Sequence, residues 1–205
     1  MTEQLSSLAL QALAIVEESG AIISANHAHP HTIRHKGRID LVTETDIAVE
    51  AFLKERLAAL TPGAGFLAEE SAEDLRLPDT CWIIDPVDGT TNFAHGLPLT
   101  VTSVAYRLNG ETVLGIINAP LLRECYIAEK GKGAWRNGER ISVSSVAACE
   151  NALVATGFPY EIARRVDEIL KRIRPVLSSC QGVRRCGAAA LDLRMDGLRA
   201  VRRFL

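Results

Sequence analysis

The sequence predicts a layered α/β protein, with an antiparallel sheet and paired helices in its first part and an α/β unit after it. Three observations carry this. Helical apolar spacing fills the segment before Thr61, short strand-like runs with Asn-Gly turns fill the middle, and strand–helix–strand alternation follows Ala147. The 205 residues hold no internal repeat, low-complexity tract or linker. A chain of that size buries roughly 70% of the surface its unfolded form exposes. With 47% hydrophobic and 23% charged residues, the composition is that of a folded globular domain and not a disordered one.

Each element follows from its local pattern. Leu5, Leu8, Ala12, Ile15 and Ile22 or Ile23 recur at helical spacing, so an amphipathic helix comes first. His27, His29, His31 and His35 follow, broken by Pro30. Alternating histidines could hold a transition metal, but no cysteine or carboxylate sits at matching spacing, so a solvated loop is expected. Val49, Phe52, Leu53, Leu57 and Leu60 line one face of a second helix, which Thr61-Pro62-Gly63 ends. Two helices in succession should pair and cover one side of a sheet.

From Gly65 the period changes. Phe66-Leu67 and Trp82-Ile83-Ile84 are apolar strand runs, and 100–106 and 112–117 flank Asn109-Gly110, a strong hairpin signal. Strands are expected at 125–128 and 133–136, with Asn137-Gly138 turning back to Ile141-Ser142-Val143. Residues 153–155 read as a strand, 161–174 as a helix stopped by Pro175, 182–184 as a strand, and Gly187 opens another helix.

Charge and cysteine usage narrow the function classes. Lys and Arg number 23 against 25 Asp and Glu, a net charge of −2, which argues against a nucleic-acid binder held by overall charge. Five cysteines, an odd count with no CxxC pair, fit reduced thiols in a cytosol better than a disulfide framework. The first residues lack a basic start and a small-residue cleavage site, and no uninterrupted apolar run is long enough to span a bilayer. A cytoplasmic protein without a membrane partner is expected. Lys130-Gly131-Lys132-Gly133 lacks the frame of a phosphate loop and reads as a turn. Arg164, Arg165, Lys171, Arg172 and Arg174 read as the solvated face of a helix.

The chemistry concentrates in the segment 82–93. A buried-looking strand delivers Asp85 and Asp88 at its end, Pro86 stiffens a turn between them, and Gly89 allows close backbone approach. Thr90-Thr91 can then open a helix whose free N–H groups favour an anion. Carboxylates beside a phosphate site suit a hard cation such as Mg²⁺. Taken alone, the two aspartates would read as turn residues and caps. Two further acidic clusters, Glu69-Glu70 after a strand-like run and Asp40 to Asp46 beside a helix start, favour a site assembled from several loops.

Several motifs in order resemble the inositol monophosphatase family: Lys36-Gly37-x-x-Asp40-Leu41-Val42-Thr43-x-x-Asp46, Glu69-Glu70-Ser71, and Asp85-Pro86-Val87-Asp88-Gly89-Thr90-Thr91-Asn92-Phe93-x-His95-Gly96-x-Pro98. Ala155-Thr156-Gly157-Phe158-Pro159-Tyr160 and Arg184-Arg185-x-Gly187-Ala188-Ala189-Ala190-Leu191-Asp192-Leu193 match as well. The continuation Thr91-Asn92-Phe93 resembles the inositol monophosphatases more than the histidinol-phosphate or bisphosphate-nucleotide branches.

The resemblance implies an αβαβα sandwich and a lithium-sensitive, Mg²⁺-dependent phosphomonoesterase acting on inositol monophosphate. Fructose 1,6-bisphosphate and histidinol phosphate stand as alternative substrates. It implies that Glu69, Asp85 and the Val87 carbonyl hold one Mg²⁺, and that Asp85 and Asp88 contribute to a second. Thr90, hydrogen-bonded towards Asp46, would orient and help deprotonate the attacking water. Glu69, Asp88, Gly89, Thr90, Gly187 and Ala188 would face the phosphorylated polyol, with the Gly89 and Thr90 amides on phosphate. Glu70 would stand behind the site or on the surface, and His95 would have no role as a base. A homodimer is implied too, and bacterial relatives associated with RNA or RNA polymerase suggest a second, regulatory reading.

By this resemblance residues 1–145 form an N-terminal half carrying the metal site, and 146–205 an incomplete C-terminal α/β half. The family pattern leads one to expect a later Trp-Asp pair whose carboxylate completes the second metal position. No tryptophan follows Trp135, and Asp192 and Asp196 are the only aspartates beyond Gly187. Asp192 falls within the helix pattern. Arg194-Met195-Asp196-Gly197 resembles a family turn arriving early. Apolar surface left uncovered is an expected consequence.

Overall fold

Ser6 starts the first helix, α1 (Ser7–Asn26), by accepting the Ala9 amide on its hydroxyl at 3.2 Å. The computed structural model describes residues 5–27, 33–35, 41–71, 76–159, 162–196 and 203–204, with the backbone alone at 33–35, 41, 194–196 and 203–204. The buried face of α1 is Ala9, Ala12, Val16, Ser19, Gly20 and Ile23. Of the expected stripe, Leu5, Ala12 and Ile23 are buried, while Ala9 and Val16 take the buried places expected for Leu8 and Ile15, because small residues at 9, 12, 19 and 20 let the helix settle closely on the sheet. Leu8, Ile15 and Ile22 flank it, partly buried. Gly20 shows how close the approach is: a Cβ there would lie 2.6 Å from Nδ2 of Asn118, which donates to the Val16 carbonyl at 3.0 Å. By length and composition α1 could cross a membrane, yet here Ala12, Val16 and Ile23 are fully enclosed by the fold.

Strands β1 (Ile33–His35) and β2 (Leu41–Thr43) form a small antiparallel pair, so part of the histidine stretch expected as a loop is strand. His29, Pro30, His31, Lys36, Gly37 and Asp40 lie outside the described residues. Helix α2 (Glu44–Leu60) opens with a capping box between Thr43 and Asp46 and ends where Thr61-Pro62-Gly63 predicts. Val49, Leu53 and Leu57 are buried, and Phe52 and Leu60 are partly buried beside them. The two helices pack on each other and on one face of the main sheet, as expected.

That sheet has seven strands in sequence order. They are β3 (Gly65–Ala68), β4 (Cys81–Asp88), β5 (Val101–Leu108), β6 (Glu111–Ala119), β7 (Glu124–Glu129), β8 (Gly133–Arg136) and β9 (Glu139–Ile141). Only β3 and β4 run parallel; the other neighbours are antiparallel. Asn109 (φ 51°) and Gly110 (φ 82°) make the two-residue hairpin turn, so pairing resumes at once. Asn137 and Gly138 do the same, which places β9 at 139–141 and not at 141–143.

The short helix α3 (Thr90–Ala94) follows β4. Beyond β9 the chain forms a parallel three-stranded sheet, in which β10 (Leu153–Ala155) lies between β11 (Gly182–Arg184) and β12 (Arg203–Phe204). Helix α4 (Ile162–Leu177) contacts β11, and α5 (Ala189–Asp196) contacts β4, β5 and β6 as well as β12. The order of layers is α1 with α2, the seven-stranded sheet, α5, the small sheet, then α4: an αβαβα sandwich.

Pro175, expected to stop α4, lies inside its last turn. A proline so near the end removes one N–H from the ladder and leaves the preceding turns intact. No residue of α4 is fully buried, and Val166, Leu170 and Leu177 are 43%, 58% and 60% exposed. The main core gathers Trp82, Ile84, Val87, Phe93, Val104 and Ile116, and a smaller one joins Val101 and Ala119 to Ala188, just before α5, and to Leu191 of α5. None of the five cysteines forms a disulfide.

Candidate active site

The parallel pairing of β3 with β4 ends at Ala68 opposite Ile84, and the Glu69 amide donates to the Ile84 carbonyl at 3.1 Å. Glu69 thus leaves its strand beside Asp85. The next acid, Asp88, is three residues on and would face the opposite side of a regular strand. A bulge re-aims it: Asp85 pairs with Ser103 and Asp88 with Val101, three residues of β4 against two of β5. Pro86 sits in this bulge, inside the strand, and not in the turn expected for it. Lacking an N–H, it leaves a gap in the ladder, and its carbonyl accepts from the Thr102 hydroxyl at 2.9 Å.

The result is a cavity of about 240 Å³ into which Glu69, Asp85, Asp88 and Thr90 project. Burial, then the charges of Glu69 and Asp88, push the Asp85 carboxyl far above the usual carboxylate range. Its buried Oδ1 has no hydrogen-bond partner. Asp88 is raised to about 6 by burial, opposed by the amides of Ala190 and Ala189, which donate to Oδ2 at 2.6 Å and Oδ1 at 3.0 Å. The Thr90 Oγ1 stands 3.1 Å from Asp46 Oδ1 and 2.9 Å from the Val87 carbonyl. Asp46, 2% exposed, is itself pinned by the Thr43 amide at 2.9 Å and by the Thr43 hydroxyl, and burial raises its carboxyl.

Two glycines let the layers meet here. Gly89 (φ 95°) begins α3, and a Cβ on it would lie 2.7 Å from the Leu99 carbonyl. Gly187 (φ 84°) has Asn92 against it, where a Cβ would lie 2.9 Å from Nδ2. That amide donates to the Leu99 and Cys186 carbonyls at 2.7 and 2.8 Å, tying α3 to the loop before α5.

The residues singled out in the sequence therefore converge. Val87, Gly89, Gly187 and Ala188 also line the cavity, and Asp46 stands behind Thr90. Glu70 turns aside, with its amide on Glu50 Oε2 at 2.8 Å. The motif positions Thr156, Phe158, Arg185 and Asp192, to which the sequence assigned no role, are wall residues too. Helix side chains lean towards the N-terminus, and that lean was the available signal for Asp192 at the start of α5.

Among the described residues, no three acidic, histidine or cysteine side chains close on one point. A hard divalent cation does not need such a cage, since Mg²⁺ is commonly held by one or two carboxylates, waters and a phosphate. The all-oxygen donor set and the partnerless Asp85 oxygen fit that ion.

A layered sandwich with carboxylates, a threonine hydroxyl and a glycine-opened helix around one cleft defines a phosphatase class. The chain belongs to the inositol monophosphatase family, whose profile matches residues 4–198. It is 38% identical over 188 residues to an inositol monophosphatase of Dictyostelium discoideum, covering 89% of this chain and 69% of that one. It is 33% identical over 195 residues to the Nus factor SuhB of Escherichia coli strain K12, covering 91% and 73%. The crystal structure of extragenic suppressor protein suhB from Bartonella henselae superposes with a TM-score of 0.87 at 32% identity, covering 93% of this chain and 74% of the other.

Proposed function

We propose that this chain is a Mg²⁺-dependent phosphomonoesterase that hydrolyses inositol monophosphate, or a small phosphorylated polyol like it, to the alcohol and phosphate. The observation that carries the reading is Asp85, a half-buried carboxylate with one buried, partnerless oxygen, raised first by desolvation and then by the charges of Glu69 and Asp88 in the same cavity. Glu69, Asp85 and the Val87 carbonyl would hold one ion, and Asp85 and Asp88 would contribute to a second. When bound, Mg²⁺ supplies positive charge to the phosphoryl oxygens and favours ionisation of water. Thr90, its hydroxyl directed at Asp46, leaves its oxygen free to accept from and orient the attacking water. The Gly89 and Thr90 amides would hold the phosphate, while Asp88 and the Gly187–Ala188 wall face the polyol hydroxyls. Homodimer formation and a cytoplasmic location belong to this reading on the strength of the resemblance.

Phosphate release from inositol 1-phosphate at millimolar Mg²⁺, inhibited by lithium and reduced at least a hundredfold in Asp85→Asn, is the expected result. Fructose 1,6-bisphosphate and histidinol phosphate in the same assay rank the alternatives. No release from any of them with a folded protein would sink the enzymatic reading. The 33% identity to a Nus factor favours a second reading, a binding protein associated with RNA polymerase. A polymerase pull-down that Asp85→Asn leaves intact would support it, since that change removes only the chemistry.

A further inference from the structure

Asp192 is 2% exposed, lines the cavity, and has an Oδ1 without a hydrogen-bond partner. Its amide donates to the Ala188 carbonyl at 3.0 Å, so it completes the first turn of α5. Side chains of a helix lean towards its N-terminus, which directs this carboxylate to the end where Asp88 lies. An acid in a first helical turn is ordinarily served by the free amides there. Here the amides of Ala189 and Ala190 are engaged by Asp88, so they do not satisfy Asp192. Nor does the one basic side chain of the cavity wall: the Arg185 guanidinium lies over the Phe158 ring, 5.8 Å from its centroid. Four carboxylates, Glu69, Asp85, Asp88 and Asp192, thus share one cavity with a single guanidinium turned to an aromatic ring.

We propose that Asp192 supplies a carboxylate to a second divalent cation held beside Asp88, with water and the substrate phosphate completing its coordination. The inference rests on the metal-dependent reading of the cavity and adds to it a ligand from α5. Two carboxylates with waters and a phosphate are an ordinary donor set for Mg²⁺. A purely structural Asp192, present only to complement the helix dipole, would not require its Oδ1 to be buried without a donor.

The test is a Mn²⁺ titration of the whole chain, with bound ions counted by electron paramagnetic resonance. The wild-type protein is expected to bind two ions. Asp192→Asn should weaken the second at least tenfold, leave the first in place and keep a cooperative thermal melt. Two ions bound with unchanged affinities in Asp192→Asn would overturn this inference alone. A wild-type protein that binds no Mn²⁺ would overturn it together with the metal-dependent reading. If Asp192→Asn does not fold, Asp192→Glu decides: a tenfold change in the second affinity is expected, and an unchanged one overturns the proposal.

Discussion

Thr90 is the residue at which the local geometry is most restrictive. Its hydroxyl has one proton and two acceptors within reach, Asp46 Oδ1 and the Val87 carbonyl, both held by the backbone around them. Asp46 cannot swing away, because the capping box that starts α2 fixes its other oxygen. The hydroxyl is therefore oriented before any substrate arrives, which is what a water-positioning group requires. Thr90→Ala is expected to lower kcat by about 10²–10⁴-fold with little change in KM, and Thr90→Ser to stay within about tenfold of the parent. Equal kcat values for parent and Thr90→Ala would reduce the hydroxyl to a cap on α3. This pair was legible only through the family resemblance, since 44 residues separate the two side chains and no local pattern joins them. Asp192 was not, since burial of a first-turn acid depends on a sheet distant in the chain.

At the scale of elements, the structure turns on two local irregularities. The bulge in β4 brings two acids to one side where alternation would separate them, and Pro86 marks it without revealing it. The Asn-Gly turns were readable because both positions of a two-residue hairpin need positive φ, a demand few other sequences meet. Along α1 and just before it, the expected Leu5, Ala12 and Ile23 are buried but Leu8 and Ile15 give way to their neighbours Ala9 and Val16, because close packing on β6 needed small residues where apolar size pointed to larger ones. Gly187 is the sharpest such demand beside the site. An alanine there would take a φ of 84° and place its Cβ 2.9 Å from an Asn92 amide that is already holding two carbonyls. Gly187→Ala should cost about 1–3 kcal/mol, which for a chain of this size lowers Tm by roughly 2–12 °C. A melt coincident with the parent's would mean that the α3–α5 tie is slack.

For the whole molecule, the layers bring Glu69 at the end of β3, Asp85 and Asp88 of β4 and Asp192 of α5 around one cavity, so in the metal-free protein these partly desolvated acids are held together at a cost. The direction of that cost with pH follows from Asp85 and Asp88. Both carboxyls are raised in the folded state, Asp88 to about 6 and Asp85 further, so the folded chain binds protons more tightly than the unfolded one. Their contribution to stability is fully present below the ordinary carboxylate pKa of about 4. It is lost as pH rises through the raised values. A divalent cation competes with those protons and needs the ionised carboxylates, so its stabilisation should grow over the same range. At a Mg²⁺ concentration a hundred times its Kd, linkage gives about 2.7 kcal/mol. That corresponds to a rise in Tm of roughly 5–10 °C. Thermal melts at pH 5 and pH 8, with EDTA or with Mg²⁺, check this. The metal-free Tm should be lower at pH 8 than at pH 5, and the Mg²⁺-induced rise should be larger at pH 8. A Mg²⁺ effect equal at both values would show that the ion binds away from this cavity. A metal-free chain more stable at pH 8 would show that other titrating groups outweigh Asp85 and Asp88.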